Sequence, residues 1–363
     1  MRATEQTLRD DLLWFLARPS VTGEEKRLCD DLQSRIGDTP GWSVERTANN
    51  LVVTRSEPDE TRRRVVLAGH LDTVPEPANG LEARVEEGRV YGRGATDMKA
   101  GDAVMLALIE RFDFSASDFE PVFIFYEREE GPFPENGLEQ VFAQMPHVLD
   151  AGLAILLEPT EEALEAGCIG TAQVGVTFRG RSAHSARPWL GQNAVTAAGG
   201  FLSALHERAV EAVEADGLTF HEVLTITMAR GGTATNVVPD EFWINVNHRF
   251  APGRGEEHVR ATFEALLEDH EAEYEIDDLA PSSPAALDAP LVRRFIQPDR
   301  NASPLEVRPK QAWTDVARFA ARGIPAANFG PGIPAQAHQD AEHTELRLLS
   351  GCYERLERFL SAG

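Results

Sequence analysis

Five carboxylates and two imidazoles in this chain stand at positions where chemistry could be done. The stretch GHLDTVP puts His70 at the end of an apolar run, with Asp72 two residues on. That is the pairing of a metal-binding imidazole with the acid that fixes its tautomer. GRGATDMKAG looks like a glycine-rich phosphate loop, yet it lacks the GxxxxGK[ST] spacing. It offers an acid, Asp97, where a phosphate would need donors, so nucleotide binding is excluded. Asp97 is left as a helix N-cap, which is compatible with metal ligation. VFIFYEREEG runs from an apolar strand straight into Glu127, Glu129 and Glu130. ILLEPT ends on Glu158, an uncomfortable place for an unpaired carboxylate, and IPAQAHQDAEHT brings His338. Neighbouring carboxylates repel unless cations lie among them, and so many ligands at the strand ends of one sheet are better explained by a metal centre than by coincidence. Two imidazoles with three or four carboxylates suit zinc, cobalt or manganese.

Such a cluster needs a scaffold that brings distant segments to one edge. RRRVVLAGH, EPVFIFYE and GLAILLEP read as strands, and MKAGDAVMLALIERF and ENGLEQVFAQM as helices, with LEARVEEGRVYGRG between them a hairpin. Strands that are apolar throughout and alternate with helices predict an α/β fold, a mixed, mostly parallel sheet covered on both faces. Ligands in such folds sit beyond the carboxyl ends of the strands, which is where His70, Glu129, Glu130 and Glu158 fall. Residues 173–277 follow another plan. QVGVTFRG, a helix over NAVTAAGGFLSALHERAVEAV, EVLTITMARGG, EFWINVNHRF, a helix over GEEHVRATFEALLEDH, and EAEYEID make a ferredoxin-like β-α-β-β-α-β order. LAPSSPAALDAP reads as a linker back, after which WTDVARFAARG and IPAANFGPG resume the first pattern. The expected organisation is a catalytic domain over 1–172 and 290–363, interrupted by an inserted domain over 173–289.

Composition bounds the partners. The 363 residues carry a formal net charge of −24, which disfavours nucleic acid and anionic membranes, and an anionic substrate would need local arginines. No apolar run reaches the roughly 20 residues of a membrane helix, and the N-terminal segment reads as an amphipathic helix with no signal-peptide core. Three well-separated cysteines, Cys29, Cys168 and Cys352, give neither a disulfide framework nor a CxxC knot. A reducing cytoplasm is expected.

GHLDTVP, GRGATDMKAG, the Glu-Glu pair, EPT, GRSAHSARP, TNVVPD and AHQDAEH occur in an order that resembles the dinuclear zinc amidohydrolases. That family includes desuccinylases, deacetylases, aminoacylases and carboxypeptidases; the likeness spans nearly the whole chain. It implies two divalent ions, zinc or alternatively cobalt. His70, Asp97 and Glu158 would hold one; Asp97, Glu130 and His338 would hold the other. It further implies that Asp72 orients His70, that Glu129 is the general base, and that the Asp97–Met98 peptide is cis. A shift of register in EREEGPFPENG would exchange roles with Glu127. The resemblance places His184 as an oxyanion donor reaching the site of a partner subunit in a homodimer whose contacts lie in the inserted domain. Arg249, Asn236 and Thr314 are the implied substrate-binding residues, with Arg179 and Arg187 as further arginines. EAGCIGTAQVGVTFRGRSAHSARPWLGQNAV and AWTDVARF look most like the desuccinylases, which implies hydrolysis of N-succinyl-LL-2,6-diaminopimelate. The alternatives are another N-acyl-amino-acid substrate, such as acetylornithine, or a dipeptide.

Overall fold

The computed structural model describes residues 3–361, which form two compact units. The first comprises residues up to Ala166 with Ala286–Arg308 and from Asp315 onward; the second comprises Gly167–Ala285 and Pro309–Thr314. The strip that carries Thr314 therefore belongs to the second unit.

The first unit is built on a mixed sheet. Arg63–His70 lies between Phe119–Tyr126 and Leu153–Leu156, parallel to both, and Ala326–Asn328 continues the parallel set beyond Leu153–Leu156. Antiparallel strands Asn50–Arg55 and Trp42–Thr47 close one edge. All eight residues of Phe119–Tyr126 are buried, as a strand covered on both faces must be. The pleat sorts its side chains. Leu51, Val53, Val65, Leu67, Phe123 and Phe125 face a cluster shared with helices Glu5–Leu16, Lys26–Gly37, Lys99–Arg111 and Leu346–Ser361. Opposite them, helices Gly137–Gln144 and Val316–Ala320 pack on the sheet, and their Phe142 and Phe319 meet edge to face at 5.1 Å. Because Arg63–His70, Phe119–Tyr126 and Leu153–Leu156 run parallel, the segments leaving all three emerge at one end of the sheet.

The second unit is a five-stranded antiparallel sheet, ordered Glu211–Ala215, Leu218–Gly231, Glu241–Phe250, Gly170–Arg179, Ala272–Ala280. The last four strands with helices Gly199–Glu207 and Glu256–Leu267 form the ferredoxin-like order. The helix expected through NAVTAAGGFLSALHERAVEAV instead stops at Glu207, and Glu211–Ala215 is a strand paired with Leu218–Glu222. The physical reason is the turn between them. Asp216 and Gly217 have φ of 52° and 78°, the two positive values that a tight hairpin demands and that an Asp-Gly pair supplies readily.

Close packing of helix on sheet sets a stability test. A Cβ at Gly101 would lie 2.4 Å from the Leu157 carbonyl oxygen, so Gly101→Ala forces backbone apart and should cost about 1–3 kcal/mol. Gly37, at the end of helix Lys26–Gly37, has nothing within 4 Å of such a Cβ. Gly37→Ala should therefore stabilise by about 0.5–1 kcal/mol. Urea unfolding of both variants, read for opposite shifts in midpoint, checks the packing.

Candidate metal centre

The first unit gathers seven of the singled-out side chains at the carboxyl end of its parallel strands. His70 is the last residue of Arg63–His70 and fully buried. Its Nδ1 lies 3.0 Å from the Asp72 carbonyl oxygen, to which it donates, and this turns Nε2 toward Asp97 Oδ1 at 3.3 Å. Asp97 sits in the turn that opens helix Lys99–Arg111, and the peptide bond after it is cis. His338 lies in the loop after Ala326–Asn328 with a φ of 62°, a left-handed conformation few non-glycine residues adopt. Its Nε2 donates to Glu130 Oε1 at 2.9 Å and stands 3.6 Å from Asp97 Oδ2.

Donor atoms of His70, Asp97 and Glu158 fall within 4.8 Å of one another, as do those of Asp97, Glu130 and His338. Asp97 is common to both triads. Glu129 stands outside both, but it joins His70 and Glu130 in a third group of the same size. Four carboxylates and two imidazoles so close together, with His70 and Glu158 buried and His338 at the exposed rim, are unstable as bare charges. The nitrogen and oxygen donor set fits divalent ions such as zinc, and the sharing of Asp97 fits two of them.

The electrostatics show the same crowding. Burial pushes the Glu129 carboxyl well above its ordinary value, Glu158, Asp315 and Glu130 add repulsion, and His70 opposes them. Burial alone would depress the His70 imidazole, but Asp72, Asp97 and Glu129 overcome it and hold the ring well above its usual range. The hydrogen bond to Glu130 does most to raise His338.

Asp72 does more than orient His70. Its Oδ1 accepts from the Glu129 N–H at 2.9 Å and its Oδ2 from the Glu130 N–H at 3.1 Å, while Thr22 donates a third bond at 2.9 Å. Asp72 thus holds the imidazole through its main-chain carbonyl and the acidic turn through its carboxylate. Glu127 is spent elsewhere, accepting from Asn49 Nδ2 at 2.7 Å and Asn50 Nδ2 at 3.2 Å. Asp315 pins both flanks of the turn, accepting from the Tyr126 hydroxyl and from Asn136 Nδ2, each at 2.8 Å.

Sequence reasoning missed Glu342. Its buried carboxylate accepts from the N–H groups of Gly94, Thr96 and Asp97 at 3.1, 2.9 and 3.2 Å and from Arg93 Nη1 at 2.7 Å. The loop that presents Asp97 is therefore shaped by a residue four positions after His338. AHQDAEH contained this acid, but nothing in its spacing distinguished it from a solvated one.

The remaining singled-out residues belong to the second unit. His184 is exposed, its Nδ1 accepting from the Ala186 N–H at 3.0 Å, and the Ser185 N–H donates to the Asn236 carbonyl at 2.9 Å. The segments bearing His184 and Asn236 are thus neighbours. Arg249, on strand Glu241–Phe250, donates from Nε to Asn247 Oδ1 at 2.8 Å. Thr314 is buried, and its carbonyl accepts from the Cys168 thiol at 3.7 Å. Arg179 pairs with Glu241 at the surface, and Arg187 is exposed.

The sequence profile of peptidase family M20/M25/M40 matches residues 66–362. The chain is 38% identical over 350 residues to a protein named succinyl-diaminopimelate desuccinylase from Corynebacterium glutamicum, covering 94% of this chain and 93% of the relative. It is also 38% identical over 347 residues, 94% of each chain, to a Mycobacterium tuberculosis protein carried under the provisional name succinyl-diaminopimelate desuccinylase DapE. Among solved structures, aminopeptidase PepT from Bacillus cereus superposes with a TM-score of 0.79 at 20% identity, over 99% of this chain and 98% of its own. That likeness speaks to the fold.

Glu342→Ala should leave three backbone N–H groups without their acceptor, costing about 1–3 kcal/mol, and should weaken zinc affinity about 10–100-fold. Glu342→Gln, which keeps one accepting oxygen, should lose less of both; melting curves and zinc titrations check the pair. The raised His338 pKa gives a second test. In the metal-free chain its ion pair with Glu130 stabilises the fold below the ordinary histidine pKa and fades as pH rises through the raised one. Zinc must expel that proton, so its apparent affinity falls as pH drops through the same window. Calorimetry in buffers of differing ionisation heat should register the released proton.

Proposed function

The chain belongs to peptidase family M20/M25/M40, and from that premise we propose that it hydrolyses the amide bond of N-succinyl-LL-2,6-diaminopimelate to succinate and LL-2,6-diaminopimelate. The observation that carries this reading is the 38% identity to the corynebacterial desuccinylase along almost the full length of both chains. The convergence of His70, Asp97, Glu130, Glu158 and His338 in one small volume supports the chemistry.

His70, Asp97 and Glu158 would hold one divalent ion, and Asp97, Glu130 and His338 the other, zinc in our reading and cobalt as the substitute. Bound there, such ions polarise the scissile carbonyl and acidify the attacking water. The chain's own residues do the rest. Glu129 is the general base: its buried carboxylate, with its pKa lifted by the surroundings, takes the proton of the attacking water. As the carbon–nitrogen bond breaks, the same oxygen returns that proton to the leaving amine. Asp72 keeps Glu129 in place through the backbone N–H that it accepts. Glu130, adjacent in sequence, serves as a ligand instead, so neighbouring carboxylates divide the work.

The same reading makes the second unit a dimerisation and lid domain, with His184 donating to the oxyanion in the active site of a partner subunit. Arg249, Asn236 and Thr314 would receive the substrate's carboxylates, the arginine as a fork. Buried cysteines at 29, 168 and 352, none of them in a disulfide, fit a reducing cytoplasm.

Turnover of succinyl-diaminopimelate by the zinc-loaded chain, against acetylornithine and a dipeptide panel, should favour the succinyl substrate. Preference for any other member would overturn the substrate assignment. Glu129→Gln should keep its zinc and lose about 10²–10⁴ in kcat. His184→Ala should fold, load metal and dimerise while losing a comparable factor, and near-normal turnover would remove His184 from the mechanism.

A further inference from the structure

Among the described residues, one other set of ligating side chains converges: Glu222, His248 and His258, with donor atoms within 4.8 Å of one another. All three belong to the second unit. The sheet register explains part of the meeting. Leu224 lies directly opposite His248 across the pair of strands Leu218–Gly231 and Glu241–Phe250, so Glu222, two residues from Leu224, shares its face and is a diagonal neighbour of His248. His258 arrives from the first turn of helix Glu256–Leu267.

Two of the three are in the interior. Glu222 is 5% exposed and His248 1%. His248 Nδ1 is buried and has no hydrogen-bond partner among the described residues, which is rare for a polar atom in a protein core. Its ring lies 5.7 Å from that of His258, centroid to centroid. Glu222 is held in place because its Oε1 accepts from the Ala251 N–H at 2.7 Å. Its Oε2 lies 3.2 Å from His258 Nε2 and is paired with the Arg254 guanidinium. Arg254 has a second acid within reach, Glu211 at 3.1 Å, and its Nη1 also stands 3.5 Å from His258 Nε2. A cation already occupies the open side of this cluster, and it has another carboxylate to retire to.

We propose that Glu222, His248 and His258 form a mononuclear site for a borderline divalent transition metal of the zinc class, with Arg254 neutralising Glu222 when no ion is bound. Two imidazoles and one carboxylate are a recurrent three-ligand set for zinc, with a fourth position left for water. Calcium and magnesium would want more oxygen donors than this set has. An ion there ties two adjacent strands to the helix packed on them. The inference is independent of the hydrolytic reading, since it involves none of the residues of the catalytic unit.

The test uses the full chain carrying Asp97→Asn and His338→Ala, which disables the other centre, stripped with chelator and titrated with zinc alone. One zinc equivalent should remain, with a zinc X-ray absorption signature of two imidazoles and only oxygen otherwise. Adding His258→Gln, a change at a partly exposed helix position, should abolish that equivalent. Adding Arg254→Gln instead should tighten it about tenfold, because a charged hydrogen bond that competes for Glu222 is gone, a gain that misfolding cannot produce. No bound zinc in the double variant, or bound zinc indifferent to both changes, would overturn the site.

Discussion

Confinement of like charge is the constraint on which the rest of this molecule depends. Asp72, Asp97, Glu129, Glu130 and Glu158 are crowded at one end of the parallel strands with two imidazoles. Carboxylates so placed either neutralise, find cations, or accept hydrogen bonds that favour the charged form. The chain uses the third device for Asp72, whose oxygens take N–H and O–H donors from Glu129, Glu130 and Thr22. It leaves the second for the proposed ligands. Glu129 leans toward the first, with burial and the neighbouring acids lifting its carboxyl well above its ordinary value.

From this constraint the architecture becomes intelligible. A mostly parallel sheet delivers several strand ends to one edge, and each end can contribute one acid or imidazole without crowding its own backbone. Outside the strand ends the chain adds struts. Glu342 gathers the amides of the Asp97 loop, and Asp315 holds Tyr126 and Asn136 on either side of the acidic turn. Both struts are themselves carboxylates buried in full use of their oxygens.

Much of this was legible in the linear chain, for reasons that differ from residue to residue. His70, Glu129, Glu130 and Glu158 announced themselves because polar residues at the ends of apolar runs are conspicuous, and the alternation of strands with helices put them on one edge; Asp97, in a glycine-rich turn, and His338, in a loop, gained their roles from the order of motifs. The ferredoxin-like order was legible from alternating apolar residues. The second role of Asp72 was not, because backbone N–H groups have no sequence signature. Glu342 was hidden for the complementary reason, since an acid in AHQDAEH looks solvated until the fold buries it. The hairpin at Asp216–Gly217 was overlooked because ALHERAVEAV carries helical periodicity, while the turn pair just beyond it decides the outcome.

The bond from the Asp97 amide to Glu342 spans 245 residues of chain, and the contact between His338 and Glu130 spans 208. Closing loops of that length is slow compared with forming local helices and hairpins. During synthesis, then, the acids at 97, 130 and 158 must wait, mutually repelling, until the distant segment emerges to complete their enclosure. Assembly of the pocket is thereby made a late event, and a chain released early would carry its carboxylates open to water with little power to retain an ion.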